Sequence, residues 1–332
     1  MMVNNKVLLW KEKGIGRQIS SFALRYGIYI VFVILCVLIS VGSPVFLTVG
    51  NLSNILLQTS AVGIIAVGMT YVIIARGIDV SVGAIVALSS AVAVIAMKDG
   101  GQPWWIGLLL IFTTSLAIGI VNGFSTAYLR MPAFLVTLAT MTMGRGLVLA
   151  ISKGMNYWGL PKFYTTIGLG SIGPIPIPVV TMLLAFLIGH IILSHTIFGR
   201  KVYAVGGNPD AARLSGIDVE KIIFMTFVIL AIYSGLACLV LTSRLNSFTP
   251  SMGIGFEFSA IAAVVIGGTS LFGGEGNIGG TLIGVLIIGV INNALNLLGV
   301  SVYWQDVVRG SIIFFAVLID ALRSKYAKTL ES

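Results

Sequence analysis

The sequence predicts an all-α integral membrane protein of about ten transmembrane helices, some of them broken or re-entrant, with both termini in the cytoplasm. Two observations support this prediction: 57% of the 332 residues are hydrophobic, and only 9% are charged. Soluble domains carry about 25% charged residues, because their surface must face water. The 40 glycines also suit the close packing of helices in a membrane. Most of the surface of this chain is therefore expected to face lipid.

The hydrophobic pattern divides the chain into spans and short hydrophilic connections. A helix needs about 20 mostly apolar residues to cross a bilayer. The second and eighth spans are rich in glycine and are expected to be the broken or re-entrant ones. The predicted spans are 27–47, 52–75, 80–97, 104–129, 132–152, 176–195, 221–243, 256–270, 277–299 and 303–322. They form a single transmembrane domain (27–322) between a cytoplasmic N-terminal segment (1–26) and a cytoplasmic tail (323–332).

The distribution of basic residues predicts the orientation. With the N-terminus inside, 14 of the 20 Lys and Arg residues lie on the cytoplasmic side, as the positive-inside rule requires. The net charge of +9 is then explained by helix orientation, and nucleic acid is not an expected partner. We expect a multi-pass protein of the plasma (inner) membrane.

Two hydrophilic connections are long enough to have a function. Residues 153–175 are predicted to face outside, where their aromatic side chains form an interfacial belt or a docking surface for an outer partner. Residues 196–220 are predicted to form a cytoplasmic loop. In this loop, Asn208-Pro209-Asp210 is a helix-start signal and Gly216 is placed to end the helix. The sequence thus predicts a short amphipathic helix that fits a groove in another protein.

Catalytic and metal-binding patterns are absent from the sequence. No G-x-x-x-x-G-K-[ST] phosphate loop is present, so ATP is expected to bind to another chain. His190 and His195 have no neighbouring cluster with metal-ligand spacing and are interpreted as interfacial anchors. Arg145 is the one basic residue well inside a span, and we expect it to snorkel or to contact backbone carbonyls. No catalytic residue, metal site or cofactor is predicted on this chain.

Neutral polar groups inside the spans permit two interpretations. In the fifth span Phe134, Thr137 and Met141 share one helical face, and the ninth span contains Asn292, Asn293 and Asn296. Such groups commonly form hydrogen bonds between helices. Alternatively, they line a pathway for a neutral, hydroxyl-rich solute, to which they can bond without an unpaired charge.

Several motifs resemble one family. The stretch G-M-T-Y-V-I-I-A-R-G-I-D-V-S-V-G (68–83) is similar to the G-I-D-L-S-V-G signature of permeases of ribose-type ABC carbohydrate importers. The loop G-G-N-P-D-A-A-R-L-S-G-I (206–217) resembles the cytoplasmic coupling segment of that family. Residues 260–276 and 292–301 match in the same order, so that the resemblance covers roughly residues 30–320.

The resemblance implies a function and a set of partners. The chain would be the permease subunit of an ATP-driven importer that moves a ribose-like monosaccharide from a binding protein into the cytoplasm. It would pair with a second permease copy, with a cytoplasmic ATPase subunit whose two nucleotide-binding domains bind ATP and Mg, and with an extracytoplasmic sugar-binding protein. By residue, the ATPase-coupling segment comprises Gly206, Gly207, Asn208, Ala211, Ala212, Arg213, Ser215 and Gly216. An inner elbow after the second span comprises Gly77, Asp79, Ser81 and Gly83.

This sequence departs from the family pattern at two positions. Ser259 stands where an acid often precedes A-I-A-A, and Arg76 stands where a small residue is usual. Two alternatives to sugar import remain open: a permease of the same family that carries a sugar-like signal molecule, and an ion-coupled secondary transporter.

Overall fold

The computed structural model describes residues 27–301 and, except for 306, 309, 316 and 319, residues 303–320. The predicted cytoplasmic segments 1–26 and 323–332 lie outside the described residues. The helices are α1 (Gly27–Gly42), α2 (Val49–Ile74), α3 (Val82–Lys98), α4 (Trp104–Ala127), α5 (Ala133–Ser152), α6 (Lys162–Leu169), α7 (Ile177–His195), α8 (Ile197–Gly207), α9 (Pro209–Leu214), α10 (Val219–Leu245), α11 (Phe256–Ile266) and α12 (Ile278–Leu297). The described residues after 302 are also helical.

The helices confirm the prediction of a mostly helical membrane protein. Among the described residues, six helices are long and apolar enough to cross a bilayer: α2, α4, α5, α7, α10 and α12. They coincide with the second, fourth, fifth, sixth, seventh and ninth predicted spans. The shorter apolar helices α1, α3 and α11 coincide with the first, third and eighth. The total of ten spans and the orientation of the termini stay predictions.

The second predicted span is not broken, contrary to the expectation from its glycines. Its helix, α2, runs without interruption for 26 residues. Gly63 and Gly68 serve close packing instead: an added Cβ would lie 2.7 Å from the sulfur of Met182 at Gly63, and 2.8 Å from Cα of Leu230 at Gly68. The glycines therefore let α7 and α10 approach α2.

The eighth predicted span contains only a short helix. Helix α11 has only 11 residues and is too short to cross a bilayer alone. It is preceded by Gly253 and Gly255, whose φ angles of 72° and 80° belong to the left-handed region that favours glycine. Helical structure accordingly begins only at Phe256.

The bundle is organised around α2. In its most apolar window 83% of residues are buried, against 22% in α4 and in α5. Helices α10, α12, α7 and α11 pack around α2, while α3 packs against α4 and α5. Helices α4 and α5 therefore lie at the periphery, where their apolar faces can meet lipid.

Short strands and one helix cover the end of the bundle that lies opposite α8 and α9. Strands β1 (Tyr157–Trp158) and β4 (Ser247–Phe248) pair in antiparallel fashion, as do β2 (Ser171–Ile172) and β3 (Ile175–Pro176). On α6, Tyr164 is fully buried and its hydroxyl bonds to that of Thr242 on α10. Part of the predicted outer aromatic stretch is thus packed onto the bundle.

Candidate functional site: coupling segment, elbow and cavity

The predicted cytoplasmic loop contains two helices, of which the sequence predicted the second. Helix α9 begins at the predicted helix-start signal, Asn208-Pro209-Asp210. The side-chain oxygen of Asn208 accepts hydrogen bonds from the N–H groups of Asp210 and Ala211, each at 3.0 Å. The helix ends at Leu214, and Gly216 closes the turn that follows, with a φ of 78° and an N–H that donates to the carbonyl of Arg213. Helix α8, directly before it, was not predicted.

Arg213 holds α9 against the start of α10. Its Nη2 lies 2.7 Å from Oε1 of Glu220, and its Nη1 lies 3.5 Å from Oδ1 of Asp210, one turn back on α9. The neighbouring Leu214 is 91% exposed. The guanidinium is therefore paired within the chain, while the apolar tip of α9 is presented outward.

The remaining residues of the predicted coupling segment divide into buried and exposed groups. Ala212 is the buried residue of α9, whereas Gly207, Ala211 and Ser215 are exposed. Gly206 is buried against the end of α2, where an added Cβ would overlap the carbonyl oxygen of Ile74 and lie 2.6 Å from the backbone nitrogen of Gly274. The coupling segment is thus joined to α2 through main-chain atoms.

Three of the four predicted elbow residues, Gly77, Asp79 and Ser81, lie in a non-helical link between α2 and α3, and Gly83 is the second residue of α3. At the start of the link, the N–H of Gly77 donates to the carbonyl of Val72 and closes α2. Asp79 is buried and accepts hydrogen bonds from the N–H and the hydroxyl of Ser81, at 2.7 and 2.6 Å. Asn122 on α4 donates to the Asp79 carboxylate at 3.3 Å and to the Ser81 hydroxyl at 2.9 Å.

The elbow is also bonded to α5 through Thr137. The hydroxyl of this buried residue accepts from the N–H of Val80 at 3.2 Å and donates to the carbonyl of Ile78 at 3.3 Å. Its hydrogen-bonding capacity is therefore used on backbone. Phe134, on the same helix, is 49% exposed at the surface of the bundle, and Met141 is half-buried.

The last elbow residue, Gly83, lies beside two charged side chains. An added Cβ would lie 3.1 Å from Nη2 of Arg145 and would overlap Oε2 of Glu257, at the start of α11. Arg145 donates to the carbonyl of Met252 at 2.8 Å. This contact confirms the prediction that Arg145 packs against backbone carbonyls.

A cavity of about 190 Å³ lies between α2, α11, α12 and the residues that precede α11. Its polar lining is uncharged, with Gln58 and Thr59 from α2, Ser259 from α11, and Asn292 and Asn296 from α12. The aromatic ring of Phe256 and several aliphatic side chains supply the rest. Because α2 begins and α12 ends at the end of the bundle opposite α8 and α9, this cavity lies toward that opposite end.

The structure brings together only some of the predicted pathway residues. Asn292 and Asn296 line the cavity, whereas Asn293 forms a reciprocal amide pair with Asn51, at 3.0 and 2.8 Å. The stripe on α5 does not reach the cavity. Sequence reasoning did not single out Gln58, and it noted Ser259 only as a departure from a family pattern.

Within the part of the chain that the structure describes, no group of three or more His, Cys, Asp or Glu side chains is arranged to hold a metal ion.

Comparison with known proteins supports the motif-based assignment. Residues 51–317 match the family described as the branched-chain amino acid transport system / permease component. The chain is 46% identical over 302 residues to the ribose import permease protein RbsC of Bacillus subtilis, covering 90% of this chain and 94% of that protein. It is 42% identical over 316 residues to the RbsC protein of Haemophilus influenzae, with 94% and 98% covered.

Another relative has a different sugar in its name. The D-allose transport system permease protein AlsC of Escherichia coli is 39% identical over 319 residues, covering 95% of this chain and 98% of that protein. No solved structure matches the chain. With its apolar helices and these relatives over nearly its whole length, the chain belongs to the ribose-type family of sugar permeases, the multi-pass inner-membrane subunits of ABC importers.

Proposed function

We propose that this permease moves a ribose-like monosaccharide from an extracytoplasmic binding protein into the cytoplasm. The supporting observation is the similarity, over about nine-tenths of the chain, to proteins named as ribose import permeases. The uncharged amide and hydroxyl lining of the cavity is consistent with such a cargo, because a neutral polyol needs hydrogen-bond partners but no counter-charge.

The cavity between α2, α11 and α12 is proposed to be part of the translocation pathway. Gln58 contributes an amide and Ser259 a hydroxyl to its lining. Asn292 and Asn296 also line it, and Oδ1 of Asn296 accepts from Nε2 of Gln305 at 3.0 Å. Phe256 can pack against the apolar face of a sugar ring. The stripe of Phe134, Thr137 and Met141 on α5 stays a separate prediction, since Thr137 already bonds to the elbow.

At the other end of the bundle, α9 is proposed to dock into a cytoplasmic ATPase subunit with two nucleotide-binding domains, which binds ATP and Mg. The exposed Leu214 at its tip supports this role, because apolar anchors that fill a pocket contribute most to such interfaces. In this arrangement the permease is a non-catalytic translocation subunit. It works as a dimer with a second copy, and the binding protein docks at the end that carries α6 and β1–β4.

The cavity assignment can be tested in reconstituted vesicles that contain the permease, its ATPase and its binding protein. Gln58→Leu and Ser259→Ala each remove one uncharged polar group from the lining. A lost hydrogen bond of about 1 kcal/mol corresponds to a roughly fivefold lower rate of ribose uptake. Asn54→Leu is the matched control, since Asn54 is an exposed amide on α2 outside the lining.

Uptake by Gln58→Leu and Ser259→Ala equal to that of Asn54→Leu would remove the cavity from the pathway. The sugar itself is tested separately, by measuring the binding of ribose, allose, xylose and arabinose to the partner binding protein. Preference for a sugar other than ribose would correct the substrate, and the uptake of the variants would then be measured with the preferred sugar.

A further inference from the structure

Arg76 occupies a backbone position that normally takes glycine. The N–H of Arg76 donates to the carbonyl of Ile73, and that of Gly77 donates to Val72. This is the hydrogen-bond pattern of a Schellman motif, whose C′ residue adopts a left-handed conformation and is usually glycine. Arg76 has a φ of 67°. A side chain in this strained region persists only where surrounding interactions hold it there.

Those interactions come from the end of the coupling segment. Nε of Arg76 donates to the carbonyl of Gly206 and Nη2 donates to the carbonyl of Gly207, both at 2.6 Å. These glycines are the last two residues of α8, where carbonyls lack partners within the helix and carry the negative end of its dipole. The fork of the guanidinium thus binds two adjacent acceptors at the end of α8, immediately before α9.

A glycine loop packs against the stem of the Arg76 side chain, while the residue as a whole stays exposed. Gly273 has a φ of 82°, and an added Cβ there would overlap Cγ of Arg76. The next N–H, that of Gly274, donates to the carbonyl of Ile74 at 2.9 Å. Three segments distant in sequence, the end of α2, the end of α8 and the loop before α12, therefore meet around one side chain.

From Arg76 the chain continues directly into the elbow, which is bonded to two other helices. Asn122 of α4 bonds to Asp79 and Ser81, and Thr137 of α5 bonds to the backbone at Ile78 and Val80. Arg76 therefore links the end of α8 to the part of the bundle that contains α4 and α5, beside the separate contact of α9 with the start of α10.

We propose that Arg76 is the positioning residue that transmits movement of the ATPase-coupling segment to the elbow. The proposal rests on the proposed function of α9 as the ATPase-docking helix. The role is specific to a side chain at this position, because glycine would satisfy the turn without making either bond to α8.

Replacement of Arg76 by glycine tests this proposal, because it relieves the backbone conformation while removing the link. The quantity to measure is the number of ribose molecules imported per ATP hydrolysed in vesicles containing the permease, its ATPase and its binding protein. The loss of two hydrogen bonds from a charged donor is expected to lower this ratio at least about tenfold, with the ATPase still bound in pull-down assays. Arg130→Gly is the matched control: Arg130 also has a positive φ, 56°, but its side chain is 78% exposed and lies 3.7 Å from Glu220.

An unchanged import ratio in Arg76→Gly, or an equal fall in Arg130→Gly, would overturn the proposal. Loss of ATPase binding in Arg76→Gly would also overturn it, since that result makes Arg76 a docking residue. If Arg76→Gly fails to insert into the membrane, Arg76→Lys replaces it, since lysine keeps the charge but lacks the fork; a wild-type ratio then refutes the proposal. The docking role of α9 is tested separately with Leu214→Asp. Normal ATPase binding by this variant would refute the docking role.

Discussion

Gly206→Ala introduces the smallest possible side chain at the place where the coupling segment meets α2. The new Cβ would overlap the carbonyl oxygen of Ile74 and lie 2.6 Å from the nitrogen of Gly274. Both are main-chain atoms, so no side-chain rotation relieves the clash. Ile74 and Gly274 are bonded to each other at 2.9 Å, and the new Cβ would lie against both atoms of that bond and push them apart.

The expected cost follows from these contacts. Inserting a methyl group into a well-packed site costs about 1–3 kcal/mol, and a lost backbone hydrogen bond adds about 0.5–1.5 kcal/mol. Together they predict that Gly206→Ala lowers the free energy of unfolding by about 2–4 kcal/mol. For a chain of this size we expect a fall of about 4 °C or more in the midpoint of thermal unfolding.

The neighbouring glycine supplies the control. An added Cβ at Gly207 meets nothing within 4 Å, so Gly207→Ala should unfold at the wild-type temperature. Thermal unfolding of both variants in the same detergent, followed by ATP-driven uptake in vesicles, tests the comparison. Equal midpoints for the two variants would show that the junction between α8 and α2 tolerates a methyl group and would refute the packing argument.

Three further predictions concern charge, topology and the elbow. Arg213→Glu is expected to abolish uptake, since it places a third carboxylate beside those of Asp210 and Glu220, and the uncharged Arg213→Gln should retain part of it; equal loss in the two variants would show that charge repulsion is not the cause. A cysteine at Ser171 should react with an impermeant thiol reagent from outside and one at Asp210 only from inside, and the opposite pattern would refute the orientation. Thr137→Val should reduce uptake while Thr137→Ser retains it, because only serine keeps the hydroxyl that bonds to the elbow backbone. Equal uptake rates in the two variants would show that transport does not depend on this hydrogen bond.

The sequence was most informative where the signal is local. The cap at Asn208 and the turn at Gly216 act within a few residues of themselves, and the structure places both where the pattern predicted. Length and hydropathy likewise located the long spans. These features require no knowledge of which helices are neighbours.

Contacts between distant segments were not predictable from the same signals. A helix that is apolar on every side gives no periodicity from which to infer its buried face. Gln58 could therefore not be assigned to a cavity, and Thr137 could not be assigned to the elbow rather than to a pathway. Arg76 was noticeable only as an unexpected residue, because its partners lie 130 positions away.

The close approach of α11 and α12 has a consequence for how the cavity can change size. A Cβ added at Gly280 or Gly284 would overlap the carbonyl oxygens of Gly267 and Ala263 respectively, so these helices touch backbone to backbone. No side chain lies between them that could change rotamer, so α11 and α12 are expected to move together as one rigid body. The width of the cavity would then be set at its boundary with α2, where a Cβ added at Gly289 of α12 would overlap Cγ2 of Thr59.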